Sequence, residues 1–197
     1  EVDYISMHTY PMHETHYSPE FWGIPESQEA LPDMAKIDSA MSRAMDYAIA
    51  QYESVKAYMA SLGVDKPIHI GETGWATVSN EHYGDSGSRA TDEYKSAAFY
   101  RMMREWTNAK GISCFWFEAF DEPWKSAANP LGSENHFGLI NIQAQAKYAL
   151  WDMVDAGIFE GLTRDGKTVS KTFDGDSVAL MQQVKVPPTL RETAAGR

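Results

Sequence analysis

Residues 112–125 read ISCFWFEAFDEPWK, an apolar run that ends in three carboxylates, a tryptophan and a lysine. Aromatic and β-branched residues in such a run predict a buried strand. A buried carboxylate without a partner costs several kcal/mol. The acids at the end of this strand are therefore either solvated or take part in chemistry.

The segments before this strand alternate between strands and helices. Residues 2–12 (VDYISMHTYPM) and 67–75 (PIHIGETGW) have the composition of strands. Apolar residues at steps of three and four predict helices over 34–62 and 94–110, and a glycine follows each of them. This alternation predicts an α/β fold with parallel strands and right-handed crossovers.

The other segments are less regular. Residues 13–32 are predicted to form a polar loop, and a further helix is expected near 144–156. The tail from 157 contains Arg164-Asp165-Gly166-Lys167, which is typical of a hairpin turn. After Pro187-Pro188 the end of the chain is polar, and we expect it to lack order.

Composition narrows the class of protein. The chain has 197 residues, 43% of them hydrophobic, which is enough for one folded domain. A formal charge of −11 disfavours a nucleic-acid partner. Cys114 is the only cysteine, so no internal disulfide can form. No apolar run approaches the length of a membrane span, and we expect no membrane segment in this sequence.

Candidate site residues follow the three predicted strands, where parallel folds place their active sites. They are Tyr10, Glu72, Glu118, Asp121 and Glu122. Side-chain alternation places Ile68, Ile70 and Glu72 on one face of the second strand. The same rule places Trp116, Glu118 and Phe120 on one face of the third. We therefore expect the acids to meet on one rim, where a carboxylate can act as nucleophile or proton donor.

Each of these residues also has a structural interpretation. Backbone N–H groups of the glycine turn could satisfy Glu72, and Asp121 and Glu122 could form a solvated group beside Lys125. The tryptophans of this region are either core residues or platforms on which a sugar ring stacks. They are Trp75, Trp116 and Trp124.

Four linked blocks carry a resemblance to a known family. VDYISMHTYPM, KPIHIGETGW, CFWFEAFDEPWK and HFGLI occur in the order and spacing of glycoside hydrolase family 17. These are the β-1,3-glucan hydrolases and transglycosylases, and the bacterial members are most similar. The resemblance covers about residues 1–156 and implies the C-terminal part of a (β/α)8 barrel, about strands 6–8, incomplete on its own. Residues 157–197 are then an extension with a hairpin and a polar tail.

The resemblance also implies roles for residues. Glu72 matches the nucleophile of a retaining mechanism, Tyr10 lies near it, and Glu122 and Lys125 have a supporting role. Retention needs a second carboxyl group about 5 Å from the nucleophile as acid/base. Further residues are expected to bind the β-glucan substrate. They are His8, Trp75, Trp116, Glu118, Asp121 and Trp124.

One catalytic group of the family is not recognised in this sequence. The family's proton donor lies in an Asn-Glu pair after strand four, and Asn80-Glu81 does not fit that place. We therefore expect this chain alone to be inactive and to self-associate, with the N-terminal half of a barrel or a second copy covering its open sheet edges. No cofactor or metal is needed, because the chemistry is proton transfer plus carboxylate attack. The resemblance favours a periplasmic or secreted location.

Three alternatives remain. The first is another retaining barrel glycosidase, acting on mannan or xylan. The second is a non-catalytic carbohydrate-binding module, in which aromatics stack on sugar and acids only hydrogen-bond. The third is a metal site built from His8, His13 and His16, whose spacing matches no established ligand pattern.

Overall fold

The computed structural model describes residues 2–195, without the side chains of residues 85 and 195. The chain divides into two compact units. Unit 1 contains the residues up to Gly74, Arg101–Trp116 and the residues from Val186 onward. Unit 2 contains Trp75–Tyr100 and Phe117–Lys185. The division after residue 156 that the family resemblance implies stays a prediction.

Unit 1 is built on a sheet of three parallel strands. They are β1 (Ile5–Thr9), β2 (Ile68–Thr73) and β3 (Cys114–Trp116), in the order β1-β2-β3. The α/β class and the parallel pairing are therefore confirmed. Among residues 2–195, β1 and β3 are edges and the sheet does not close into a barrel.

Strand β2 is irregular beside Glu72. Its pairing with β1 skips Gly71, so that the register shifts at this point. A β-carbon at Gly71 would lie 2.1 Å from Ser6 Oγ, which explains why a glycine occupies the bulge. Ile70 and Thr73 are buried while Glu72 is partly exposed. The bulge thus interrupts the strict alternation predicted for this strand.

The predicted loop at 13–32 is wrong in its first part. Helix α1 (Pro11–Tyr17) begins there, with Pro11 in the first turn, where its missing N–H leaves no hydrogen bond unmade. The strand predicted over 2–12 ends at Thr9, because proline also favours the first turn of a helix. A short 3-10 turn follows at Glu26–Gln28.

Both long helices are confirmed. Helix α2 (Asp33–Ser61) ends before Gly63, which has a φ of 68° and adopts the left-handed conformation that closes a helix. Its buried stripe matches the predicted period. The stripe includes Ile37, Met41, Ala44, Met45 and Ala48. Helix α3 (Glu93–Lys110) ends before Gly111, whose φ is 65°.

The third strand is shorter than predicted. It ends at Trp116, so Glu118 and Phe120 do not continue its face. In unit 2, residues 118–121 instead run beside 137–140, with Phe120 bridged in parallel to Ile140. The acids therefore lie in a loop that pairs with a second loop, and they do not lie on a strand of the main sheet.

The rest of unit 2 contains short elements. Strand β4 (Gln145–Ala146) leads through a 3-10 turn at Tyr148–Leu150 into helix α4 (Trp151–Asp155). The helix predicted over 144–156 is therefore correct only in its second half. Strands β5 (Thr163–Arg164) and β6 (Lys167–Thr168) form an antiparallel hairpin. Strand β7 (Ser170–Lys171) pairs in parallel with β4, and helix α5 (Ser177–Met181) follows.

The hairpin predicted at residues 164–167 is confirmed. Its two turn residues, Asp165 and Gly166, have φ values of 51° and 75°, as a type I′ turn requires. The end of the chain differs from the prediction, because unit 1 includes helix α6 (Leu190–Ala195) after the two prolines. Thr189 bridges to Ile24, which anchors the start of this helix.

Within residues 2–195, no helix is both long enough and apolar enough to cross a bilayer.

Candidate active site

Glu72 lies near the end of β2, where the bulge turns its side chain toward solvent. The Tyr10 hydroxyl donates a hydrogen bond to Glu72 Oε2 at 2.9 Å, and His8 Nδ1 lies 3.4 Å from the same oxygen. The Glu72 side chain is 42% exposed. Both contacts involve the same carboxylate oxygen, Oε2. Tyr10, His8 and Glu72 are thus brought together within unit 1.

The three histidines considered as a metal site have separate neighbours. His8 faces Glu72, the His13 ring lies 5.8 Å from the ring of Tyr10, and the His16 ring lies 5.0 Å from that of Tyr17. Within the described part of the chain, no three His, Cys, Asp or Glu side chains are grouped as metal ligands would be.

The predicted site acids of unit 2, Glu118, Asp121 and Glu122, lie in residues 118–125, which we call the acid segment. Its backbone pairs with 137–140 through hydrogen bonds that alternate between the two segments. Leu139 N donates to Glu118 O at 3.0 Å, and Asp121 N donates to Ile140 O at 2.9 Å. This ladder gives a loop the regular backbone of a short parallel pair.

Gly138 makes this close pairing possible. A β-carbon at Gly138 would lie 2.0 Å from Asp121 N and 2.2 Å from Phe120 C. These are backbone atoms, which cannot rotate away as a side chain can. The glycine of the HFGLI block is therefore required for the acid segment to approach its neighbour.

Within the acid segment, Lys125 lies between two carboxylates. Its Nζ is 2.7 Å from Glu118 Oε2 and 3.0 Å from Glu122 Oε2. Burial raises the pKa of Glu118, Lys125 counters this shift, and the neighbouring Glu122 adds to it. Burial alone would lower the pKa of Lys125, but its hydrogen bonds to the two carboxylates raise it. The three groups form one charge-coupled cluster with net negative charge when all are ionised.

Asp121 has a different partner. Its Oδ1 lies 2.8 Å from Lys147 Nζ, and both side chains are buried. Lys147 also donates to Thr77 Oγ1 at 2.9 Å and to His136 O at 3.0 Å. Burial lowers the pKa of Lys147, while the charge of Asp121 opposes this change. Asp121 is therefore not part of a solvated group beside Lys125, and its placement favours a structural role over substrate binding.

Sequence reasoning missed Lys147 altogether. It lies in AQAKYALW, where nothing distinguishes it from a surface lysine. Gly138 did carry a signal, since a glycine inside an apolar block indicates close backbone approach.

The candidate tryptophans differ in exposure. Trp75 is 0% exposed, donates through Nε1 to Ala90 O at 2.8 Å and packs on Phe99, which favours its interpretation as core. Trp116 is half-buried at the end of β3. Trp124 is 66% exposed, and its ring is open to a ligand. Of these three tryptophans, Trp124 therefore has the most exposed ring and Trp75 the least exposed one.

Asn80 and Glu81 have structural partners. Glu81 Oε1 accepts from Ser133 N at 2.7 Å, and Asn80 exchanges amide hydrogen bonds with Asn129. Burial would raise the pKa of Glu81, but hydrogen bonds from Ser79 and Ser133 hold it below its ordinary value. A carboxyl group held in its charged form is a poor proton donor, and the exclusion of this pair as the donor of the family stays a prediction.

Comparison with known proteins extends this picture. Residues 33–151 match the sequence profile of glycosyl hydrolases family 17. The structure resembles that of an endo-laminarinase from Formosa Hel1_33_131, with 58% identity and a TM-score of 0.92 over 95% of this chain and 48% of that chain. A glucan 1,3-beta-glucosidase of Arthroderma benhamiae is 30% identical over 95 residues, which are 45% of this chain and 29% of that protein.

A third relative agrees with these two. A probable glucan endo-1,3-beta-glucosidase of Aspergillus terreus is 35% identical over 88 residues, covering 40% of this chain and 13% of that protein. The chain thus spans about half the length of the laminarinase and less than a third of either curated relative.

The fold is that of an α/β protein with one carboxylate, Glu72, near the end of a parallel strand and further carboxylates in the acid segment. The chain belongs to glycosyl hydrolases family 17, because the family profile matches more than half of it. The solved structure of the laminarinase is a (β/α)8 barrel.

Proposed function

We propose that this chain carries the nucleophile of a retaining β-1,3-glucan hydrolase or glucanosyltransferase, and that the nucleophile is Glu72. The observation that carries the proposal is the arrangement of its two oxygens. Tyr10 and His8 both contact Oε2, which in this proposal leaves Oε1 to form the bond to the anomeric carbon. The family membership and the laminarinase likeness support β-1,3-glucan as the substrate class.

The reaction proceeds in two displacements. Glu72 Oε1 forms a bond to the anomeric carbon while the bond to the departing sugar oxygen breaks and the acid/base gives that oxygen its proton. Water or the hydroxyl of a second glucan then attacks the anomeric carbon, returns its proton to the acid/base and releases Glu72. Water gives hydrolysis, and a glucan acceptor gives transfer.

The acid/base belongs, in this proposal, to a part of the barrel outside these residues. We propose that the three parallel strands correspond to strands 6–8 of the family barrel, because the blocks VDYISMHTYPM, KPIHIGETGW and CFWFEAFDEPWK resemble those strands in order and spacing. The remaining strands, or a second copy of this chain, then cover the edges at β1 and β3. Residues 157–197 act as an extension of the catalytic domain.

Other residues of the site have binding roles in this proposal. His8, Trp116 and Trp124 contact the glucan, with the exposed ring of Trp124 offering a stacking face. Glu122 and Lys125 support the reaction as a charged pair. Glu118 joins them through its contact with Lys125.

The experiment that tests the proposal is covalent trapping. A 2-deoxy-2-fluoro laminaribiosyl donor with a good leaving group should accumulate as a glycosyl-enzyme in the complete protein. Peptide mass spectrometry should then find the sugar on Glu72. Glu53→Gln, a change on the exposed face of α2, serves as the control and should label as the wild type does.

The outcomes separate the alternatives. Labelling with laminarin cleavage, but without cleavage of mannan or xylan, supports the proposal. Labelling of Glu72 with preference for mannan or xylan would keep the nucleophile and change the substrate. Tight laminarin binding without labelling or cleavage would overturn the catalytic role and favour a binding module.

A further inference from the structure

The hairpin of β5 and β6 brings an arginine to the acid segment. Arg164 is the last residue of β5, directly before the Asp165-Gly166 turn, and its side chain is half-buried. One terminal nitrogen, Nη1, donates to Ile140 O and to Asn141 O, both at 2.9 Å. The other, Nη2, donates to Asp121 O at 2.7 Å. One guanidinium thus binds both loops of the paired backbone.

These contacts lie at the end of the ladder between the two loops. Ile140 O accepts hydrogen bonds both from Asp121 N and from Arg164 Nη1. The arginine therefore provides the second hydrogen bond to a carbonyl that is already paired in the ladder. Arg164 also lies over the ring of Phe120, with 4.9 Å between its Cζ and the ring centroid. Arg164 therefore contacts the acid segment in two ways, through the carbonyl of Asp121 and through the ring face of Phe120.

The chemistry of arginine suits this task. A guanidinium presents five N–H donors in a planar fork and stays charged, so it can bind several carbonyls at fixed angles. Hydrogen bonds from a charged donor are also stronger than those from a neutral one. A lysine ammonium could occupy the same space but could not reproduce the fork.

The consequence falls on Glu122. Asp121, the residue before it, is held through its carboxylate by Lys147 and through its carbonyl by Arg164. Two anchors on one residue leave its backbone little freedom to turn, and the direction of the next side chain depends on that backbone. The Glu122 carboxylate and its partner Lys125 are oriented as a result.

We propose that Arg164 is a positioning residue for the acid segment, supplied by the extension that follows the family-matched region at 33–151. This inference deepens the proposed function and rests on it only for its effect on turnover. In this proposal Arg164 acts through its hydrogen bonds to backbone carbonyls and not through contact with the substrate. It binds the backbone carbonyls of Asp121, Ile140 and Asn141, and thereby orients the side chains of Glu122 and Lys125.

The test compares Arg164→Gln with a control in the same hairpin. Lys167→Gln removes one positive charge from the facing strand, where Lys167 is exposed. In the complete protein, without substrate, hydrogen exchange should quicken at least about 10-fold in peptides covering 118–125 and 137–141 for Arg164→Gln. The control should exchange as the wild type does.

Turnover provides the second readout. Labelling with the fluorosugar gives the concentration of reactive Glu72 in each sample. The value of kcat is calculated with this concentration, so a misfolded fraction does not lower it. We expect Arg164→Gln to lower this kcat about 10- to 100-fold with KM changed less than about 3-fold, because small displacements of catalytic groups cost this much. Arg164→Lys keeps the charge and the stem, and should show the same faster exchange.

Each result decides. Unchanged exchange at 118–125, exchange that rises equally throughout unit 2, or an unchanged kcat per titrated site would overturn the positioning role. If Arg164→Gln does not fold, Arg164→Lys is judged by the same criteria. If the wild type neither labels nor cleaves laminarin, the proposed function fails, and the exchange comparison alone decides whether Arg164 positions the acid segment.

Discussion

Glu72 and the acid segment place carboxylates by two different means. Glu72 is part of strand β2, and the sheet supports its backbone on both sides. The acid segment lies in a loop, and distant groups hold it: Lys147, Arg164 and the close approach of Gly138. An acid on a strand has its backbone fixed by the hydrogen bonds of the sheet, so its side chain can stay exposed. An acid in a loop depends on contacts from other side chains, here called anchors, to fix its backbone.

This difference predicts different sensitivities. Around Glu72, changes of neighbouring side chains should alter turnover more than stability, because the sheet holds the backbone in any case. In the acid segment, changes of the anchors should alter stability and local order first, because the anchors hold the backbone itself.

The largest effect should come from the strand-held acid. Glu72→Gln keeps the shape of the side chain but removes the nucleophile, so we expect kcat on laminarin to fall on the order of 10,000-fold. Steady-state assays of the complete protein measure this, with Glu53→Gln as the control on α2. Retention of a tenth of the activity would exclude Glu72 as the nucleophile.

The next largest effect should come from an anchor. Lys147→Met leaves the buried carboxylate of Asp121 without its charged partner, which should cost about 3–5 kcal/mol of unfolding free energy in urea titrations. Adding Asp121→Asn to this variant should recover part of the loss, because the buried charge is then gone. A loss below about 1 kcal/mol would show that the loop does not depend on this pair.

The two glycines allow a direct comparison of strand and loop. Gly138→Ala places a β-carbon against backbone atoms of the acid segment and should cost about 2–3 kcal/mol. Gly71→Ala meets the Ser6 hydroxyl, which can rotate away, and should cost about 1 kcal/mol. Urea titrations of both variants measure the difference, and equal losses would contradict the distinction between the two regions.

A smaller effect is expected beside the nucleophile. Tyr10→Phe removes the hydrogen bond to Glu72 Oε2 and should lower kcat about 10-fold, with little change in stability. Tyr58→Phe, at an exposed position of α2, is the matched control. If Tyr10→Phe unfolds the protein more readily but leaves kcat intact, the hydroxyl supports the fold and does not orient the carboxylate.

The smallest effects should appear in the pH dependence of stability. The folded state raises the pKa of Glu118, so the wild type loses stability as pH rises above about 4.3, and Glu118→Gln removes that loss. The folded state lowers the pKa of Glu81, so its contribution is present above about pH 4.3 and is lost as pH falls. Relative to the wild type, Glu118→Gln should therefore gain stability with rising pH, and Glu81→Gln should lose it.

Urea midpoints measured from about pH 2.5 to pH 7 test this pair of variants, because the Glu81 contribution changes below about pH 4.3 and the Glu118 contribution changes above it. For each variant, the difference in stability from the wild type is plotted against pH. If both differences change in the same direction with pH, the pKa of Glu118 or of Glu81 is shifted in the opposite direction to the one stated above.

Local pattern was sufficient for much of the fold. The apolar period of α2 and α3, the glycines that follow them and the Asp-Gly hairpin turn all depend on residues within a few positions of one another. The order of strands and helices then implied parallel pairing. The place of Glu72 near the end of an apolar strand followed from the same local pattern.

The anchors of the acid segment could not be found in this way. Lys147 lies 26 residues from Asp121, and Arg164 lies 43 residues from it, with no periodic signal to link them. Trp75 and Trp124 show the same limit, since identical side chains in similar acidic surroundings are buried in one case and exposed in the other. Backbone preferences act over a few residues and can be read along the chain, but burial and charge pairing depend on which distant groups share a volume. That is set only when the chain folds.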